Sequence, residues 1–369
     1  MRHLTRRDIL RLSAGAGVLV LSGCVPRLGA RPETSQVSSP SPTSPPASPT
    51  AVPAEAAAPS PAPATPVVVR TDDVRVTPND EFYTVDIGRG IPSLDVETYR
   101  LKVTGLVEQE LTLSFEDLRG LSAGAHMRTL ECISNPVGGN LIGNAVWEVV
   151  PLREVLEMAG PSPSAVEVIA RAADGFHTSI PMELAMDPLA YLAIAMNGEP
   201  VPPEHGYPVR CLWPGRYGMK QPKWLLELEL TDTPYLGYWE RKGWSNEATI
   251  KVNSQIETPE NQARIKSGTR VVISGRAFAG RSGVQRVEVG IGDAWYDAEL
   301  TQAREYPEVV WTLWRYEWDT TGLQGRFVIK ARATDGNGVR QEGVGGGLLD
   351  DTFPDGTSRI HAITVVVEA

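Results

Sequence analysis

Residues 31–66, "RPETSQVSSPSPTSPPASPTAVPAEAAAPSPAPATP", are built from Pro, Ser, Ala and Thr with almost no large apolar side chain. Such a stretch buries too little to offset the entropy of ordering it, and it reads as an extended, disordered spacer. Any folded core must therefore lie C-terminal to it, beginning near residue 70. The segment before the spacer is of another kind. "MRHLTRRDILRLSAGAGVLVLSGC" starts with Arg2, Arg6 and Arg7 and runs into an apolar stretch too short and too rich in Gly and Ala for a membrane span. The Arg6-Arg7 pair resembles a twin-arginine export signal. "LSGC" resembles a lipobox ending at Cys24, and the alternative is a plain secretory signal with a chance cysteine. These readings divide the start of the chain into a signal over 1–24 and a tether over 25–69. They predict an exported lipoprotein, anchored to a membrane through lipid at the periplasmic or outer cell surface.

Two folded parts are expected beyond the tether. Over 70–252 strands mingle with short helices without a βαβ rhythm, which points to α+β. "TYRLKVTG" alternates Tyr99, Leu101 and Val103 as a strand does. "LTLSFEDLRGL" passes from strand to helix, with Ser114 and Asp117 spaced as a capping box. "VPLREVLEMAG" has Pro151 where a helix starts and Gly160 where it stops. Over 253–369 the chain reads as all-β. "TRVVISGRAF", "VQRVEVGIG", "VVWTLWRYEWD", "GRFVIKARATD" and "IHAITVVVEA" are β-branched, aromatic and separated by turn signals, the pattern of an immunoglobulin-like sandwich.

The net charge of -10 offers no basic surplus for nucleic acid or an anionic membrane surface. Cys24, Cys132 and Cys211 are too few and scattered for a disulfide framework or a structural zinc site. Cys132, between a strand-like run and a Gly-rich turn in "TLECISNPVGGN", has three local readings. It is a small buried hydrophobe, a nucleophile paired with His126, His177, His205 or His361, or a soft thiolate ligand to a redox metal.

"RTLECISNPVGGNLIGNAVWEVVPLREVLEMAG" resembles the cofactor loop of the sulfite oxidase family of molybdenum enzymes. The likeness continues through "DGFHTSIPMELAMDPLAYLAIAMNGEPVPPEHGYPVRCLWPGRYGMKQPKWL". The C-terminal runs "RVEVGIGDAWYDAEL" and "WTLWRYEWD" resemble that family's immunoglobulin-like dimerisation domain. The resemblance implies a sulfite-oxidase-like α+β molybdopterin-binding domain and a homodimer through the sandwich. It implies a molybdenum–molybdopterin cofactor with Cys132 as the protein's metal ligand. Tyr83, Thr84, Asp174, His205, Arg210, Gln221, Pro222 and Lys223 match positions that contact the cofactor in the family. Cys211 falls at an apolar strand position and is expected to pack.

The likeness fails where the family binds its dianionic substrate. Its two arginines and tyrosine are replaced by Val85 or Asp86, by Pro136 and Val137, and by Trp244, which then stands as the catalytic-site residue at that place. Lys220, Arg216 or Arg281 are the candidates to rebuild the positive charge. The implied activity is oxygen-atom transfer at a sulfur centre, sulfite first, with electrons passed to a separate cytochrome or membrane haem subunit. The alternatives are reduction of a sulfoxide or other S- or N-oxide, and a non-enzymatic surface lipoprotein with a degenerate cofactor domain.

Overall fold

The computed structural model describes residues 67–343 and 352–369, so the signal and most of the tether lie outside the described residues. Four five-stranded sheets make up the described fold. In the first, Arg210–Leu212, Tyr191–Met196, Ile142–Pro151 and Ala125–Glu131 lie side by side, and Glu199–Pro200 joins at Tyr191–Met196. The second runs Leu111–Ser114, Arg100–Gly105, Leu225–Thr231, Glu167–Ala172, His177–Pro181.

Between these two sheets lies one apolar core, to which Leu101, Val103, Leu192, Cys211, Leu225 and Leu228 all contribute. The helix Leu152–Ala159 closes it with Leu152, Val155, Leu156 and Ala159, all fully buried. Each such leucine contributes about 1.5–3 kcal/mol by leaving water. The helix takes its bounds from its sequence: Pro151 precedes its first turn, and Gly160 ends it in the left-handed region at φ 67. The capping box at Ser114 and Asp117 also forms, opening the helix Phe115–Gly120. Cys211 is fully buried in the core, as packing.

The remaining two sheets face each other as a sandwich. One runs Val68–Thr71, Glu299–Ala303, Thr312–Asp319, Arg270–Phe278, Asn253–Thr258, and the other Arg264–Lys266, His361–Glu368, Gly325–Asp335, Val284–Ile291, Ala294–Asp297. Along Gly325–Asp335, Ile329, Ala331 and Ala333 are buried while Val328 is exposed, so the period of two decides which face is inside. Trp314 and Trp318 belong to this core. Trp311 instead joins Ile133, Tyr217, Met219 and Phe278 in a separate cluster under the Cys132 turn. The strand Val68–Thr71, not singled out from sequence, pairs in parallel with Glu299–Ala303.

Candidate active site

Strands Ala125–Glu131 and Ile142–Pro151 form an antiparallel pair, with Glu131 opposite Ile142, and the chain between them carries Cys132. This turn is bonded to itself. Cys132 N donates to Leu141 O at 2.9 Å, Asn135 N to Cys132 O at 3.0 Å, and Gly139 N to Pro136 O at 2.8 Å. Asn135 Oδ1 accepts from Leu141 N at 3.0 Å, while its Nδ2 donates to Glu131 Oε1 at 2.9 Å. The sandwich grips the same turn from outside. Asn253 Nδ2 donates to Glu131 Oε2 at 3.0 Å, Gln255 Nε2 to Gly138 O at 3.1 Å, and Arg276 Nη2 to Gly139 O at 3.1 Å. Glu131 is buried, and burial pushes its carboxyl up to about 7. No sequence signal beyond its place beside Cys132 marks it.

Cys132 is buried, with Sγ 3.2 Å from Ser134 Oγ. Burial raises the thiol above its ordinary value, so the protonated form is favoured. Of the four histidines considered as partners, His126 packs on Tyr191 and Tyr306, and His177 Nδ1 bonds Tyr235 Oη. His361 Nδ1 accepts from Ile256 N, and His205 Nε2 donates to Asn79 O at 2.9 Å. The bond to a carbonyl leaves His205 with Nδ1 as the acceptor when neutral, and burial lowers its pKa.

Tyr83 reaches the same place. A Cβ on Gly218 would stand 2.9 Å from the Tyr83 hydroxyl, 3.4 Å from Glu131 O and 4.0 Å from Cys132 Cα. Its phenol is held well above the ordinary tyrosine value, by burial first and then by the field of Cys132. The preceding Phe82 stacks on Tyr83 and meets Trp147 and His205 edge-on.

A pair of cations forms the next part of the site. Arg210 is buried. Its Nη1 donates to His205 O at 2.9 Å and its guanidinium lies 5.2 Å from the Trp147 ring, but Nε has no partner. Burial lowers its pKa to about 10. Lys223 Nζ donates to Glu204 O at 2.9 Å and lies 4.3 Å from the Trp224 ring. Burial, and then Arg210, pulls Lys223 down to about 8. Gly206 permits the approach of these two stems. At φ +116 it adopts backbone that L side chains rarely take, and a Cβ there would stand 3.0 Å from Lys223 Cα and 3.1 Å from Arg210 Cβ. The Arg210 charge reaches Lys223 and disfavours its protonated form, which an anion bound beside them would relieve.

The other anticipated positions vary. Asp174 is part-buried, and its field and that of Asp86 reach Lys223. Its Oδ1 accepts from Phe176 N. Gln221 spends its side chain on the backbone, Oε1 accepting from Trp213 N at 3.0 Å and Nε2 donating to Arg216 O at 2.7 Å. Pro222 O accepts from Cys211 N. Thr84, Val85 and Pro136 are exposed, and Val137 is part-buried. Trp244 packs edge-on against Phe353 and on the cluster that includes Ile133 and Met219. The three candidate replacement cations are already engaged. Lys220 Nζ donates to buried Glu240 Oε1 at 2.7 Å, Arg216 bonds Thr249 Oγ1, and Arg281 is shared between Asp187 and Glu308, each at 3.2 Å.

Residues 89–239 match the family described as the oxidoreductase molybdopterin binding domain, and residues 245–342 the Mo-co oxidoreductase dimerisation domain. The mitochondrial sulfite oxidase of Rattus norvegicus is 31% identical over 307 residues, which span 70% of this chain and 56% of that protein. The uncharacterized oxidoreductase YuiH of Bacillus subtilis is 35% identical over 150 residues, 41% of this chain and 74% of that one. The crystal structure of the sulfane dehydrogenase SoxCD from Paracoccus pantotrophus superposes with a TM-score of 0.64 at 26% identity, covering 76% of this chain and 80% of that chain. The chain thus spans about half the length of the mitochondrial relatives it matches.

Proposed function

For a chain that belongs to the sulfite oxidase family of molybdopterin-dependent oxidoreductases, we propose oxygen-atom transfer at a sulfur centre, sulfite first. Written for sulfite, one water supplies the oxygen of sulfate and two protons and two electrons are released, the electrons leaving to a separate acceptor such as a cytochrome or a membrane haem subunit. The observation that carries this reading is the buried Cys132 thiol, held in a turn bonded from both sides, with Tyr83 in the fields of both Cys132 and Arg210, and Lys223 in that of Arg210.

These residues fit molybdopterin. A phosphate would give Arg210 Nε a partner and offset the burial, and then the Arg210 charge, that depress Lys223. The Cys132 thiolate is the soft ligand that a molybdenum centre takes, and a bound cation reverses the burial effect on the thiol. When bound, the cofactor supplies the oxygen-atom transfer and the two-electron store. The chain's part is to orient and exclude. Glu131 and Asn135 set the Cys132 turn, the Tyr83 hydroxyl lies against Gly218 beside that turn, and Ile133, Tyr217, Met219 and Trp244 form an apolar cluster that starts at the residue after Cys132.

That surface favours a second reading for the substrate. A desolvated dianion needs fixed cations, and Lys220 is paired with Glu240, Arg216 with Glu247 at 3.7 Å, and Arg281 with Asp187 and Glu308. Weak sulfite use, or preference for a less charged sulfoxide, is the consequence. The test is steady-state sulfite oxidation with ferricyanide against sulfoxide reduction with a reduced dye, using loaded enzyme. Sulfite turnover saturating only at high millimolar concentration supports the first reading. Sulfoxide reduction without sulfite turnover supports the second, and turnover of neither rejects both. Export and lipid anchoring at Cys24 complete the proposal. Mass spectrometry finding an unprocessed N-terminus on protein from its natural host would remove that part.

A further inference from the structure

Arg128, on the strand that leads into Cys132, is a second buried cation without a counter-charge. It is 4% exposed. Its guanidinium lies 5.1 Å from the Tyr191 ring and 5.4 Å from the Tyr306 ring, and its Nη1 donates to Met127 O at 3.0 Å. Nε and Nη2 have no hydrogen-bond partner, and the guanidinium's side-chain contact is with the neutral Tyr191 phenol. Glu308 and Asp187, the carboxylates whose fields reach Arg128 and Tyr191, are both taken by Arg281. Beside Arg128 is a void lined also by Leu130, Trp213, Phe278 and Val309. Trp213 is 2% exposed, and its indole Nε1 also lacks an acceptor.

Two residues with buried, unpartnered donors therefore line one void. The side-chain acceptors at its edge, Thr129 Oγ1 and Gln221 Oε1, already accept from Trp311 N and Trp213 N. Buried donors are nearly always satisfied, and an unpaired buried guanidinium costs several kcal/mol. A water molecule would accept a hydrogen bond but leave the charge uncompensated. The space is partly open and takes a particle of about water size, which suits a small monatomic ion.

We propose that this void is a binding site for one halide-sized anion, chloride in ordinary media, held between the Arg128 guanidinium and the Trp213 indole N–H. It is distinct from the Arg210 and Lys223 pair, whose expected ligand is a phosphate. Because Phe278 and Val309 border the same void, the ion braces the Ala125–Glu131 strand against the sandwich and stiffens the support of the Cys132 turn.

The experiment uses the cofactor-loaded full chain, exchanged into gluconate and titrated with chloride or bromide at constant ionic strength. The unfolding midpoint should rise and saturate. Arg128→Gln and Trp213→Phe should each weaken the apparent halide constant by about tenfold or more. Crystals soaked in bromide should show an anomalous peak between the two side chains. If Arg128→Gln fails to fold, Trp213→Phe and the bromide map decide. An unchanged midpoint in wild-type protein with no bromide peak would show that water fills the void. A halide constant untouched by either substitution would place the effect elsewhere. Either result overturns the proposal.

Discussion

Gly206 and Lys223 carry the sharpest consequences at the scale of single residues. Gly206 has φ +116 and admits no Cβ without displacing the Lys223 backbone or the Arg210 stem. Gly206→Ala should cost about 1–3 kcal/mol of stability and spread the two cations, lowering molybdenum occupancy in purified protein. Urea unfolding and metal analysis check both, and full occupancy would detach the glycine from the cofactor site. Lys223 titrates near 8 in the cofactor-free protein because burial and Arg210 disfavour its charge. Binding of a permanent dianion such as sulfate depends on that charge, so affinity should fall as pH rises from about 7 to 9. The stability effect has the opposite sign. Between about 8 and the ordinary lysine value the unfolded chain binds more protons than the folded one, so this group's contribution to stability grows with pH. Calorimetric titration with sulfate, with Lys223→Met as the control, reads the affinity. A pH-independent affinity in wild type would contradict the assignment.

Among elements, the Cys132 turn depends on strands remote in sequence. Glu131 accepts from Asn135 within the turn and from Asn253 of the sandwich. Glu131→Ala leaves the Asn135 amide without its acceptor, at about 1–3 kcal/mol. Unfolding midpoint and molybdenum content should both drop, and Glu131→Gln, which keeps one acceptor oxygen, should fall between Ala and wild type. Equal loss in both would point to the charge rather than the bonds. Local elements were legible in sequence for local reasons. The helix Leu152–Ala159 is bounded by Pro151 and Gly160, and Gly325–Asp335 declares its faces by alternation. Pairings of long separation were not. Val68–Thr71 carries no sign that its partner is Glu299–Ala303. Nothing near Lys220 or Arg281 announces that Glu240, Asp187 and Glu308 will occupy them, which is why both stood as candidate substrate cations. Of the site itself, Cys132, His205, Arg210 and Lys223 stand out through family likeness, whereas Glu131 and Gly206 become visible only once the chain is folded.

In the whole molecule, the sandwich does two jobs for one site. Through Asn253, Gln255 and Arg276 it holds the Cys132 turn, and residues 245–342 match a dimerisation domain. A homodimer is the expected assembly, and light scattering of tether-free protein at micromolar concentration should give twice the chain mass, a monomer contradicting it. Cys132 as the molybdenum ligand is the central claim, because the turn, the Tyr83 hydroxyl and the sandwich bonds all converge there. X-ray absorption at the molybdenum edge, on loaded wild type and loaded Cys132→Ser, tests it directly. A folded variant whose metal has lost one sulfur neighbour relative to wild type is the expected result. The same sulfur coordination in both proteins would contradict it.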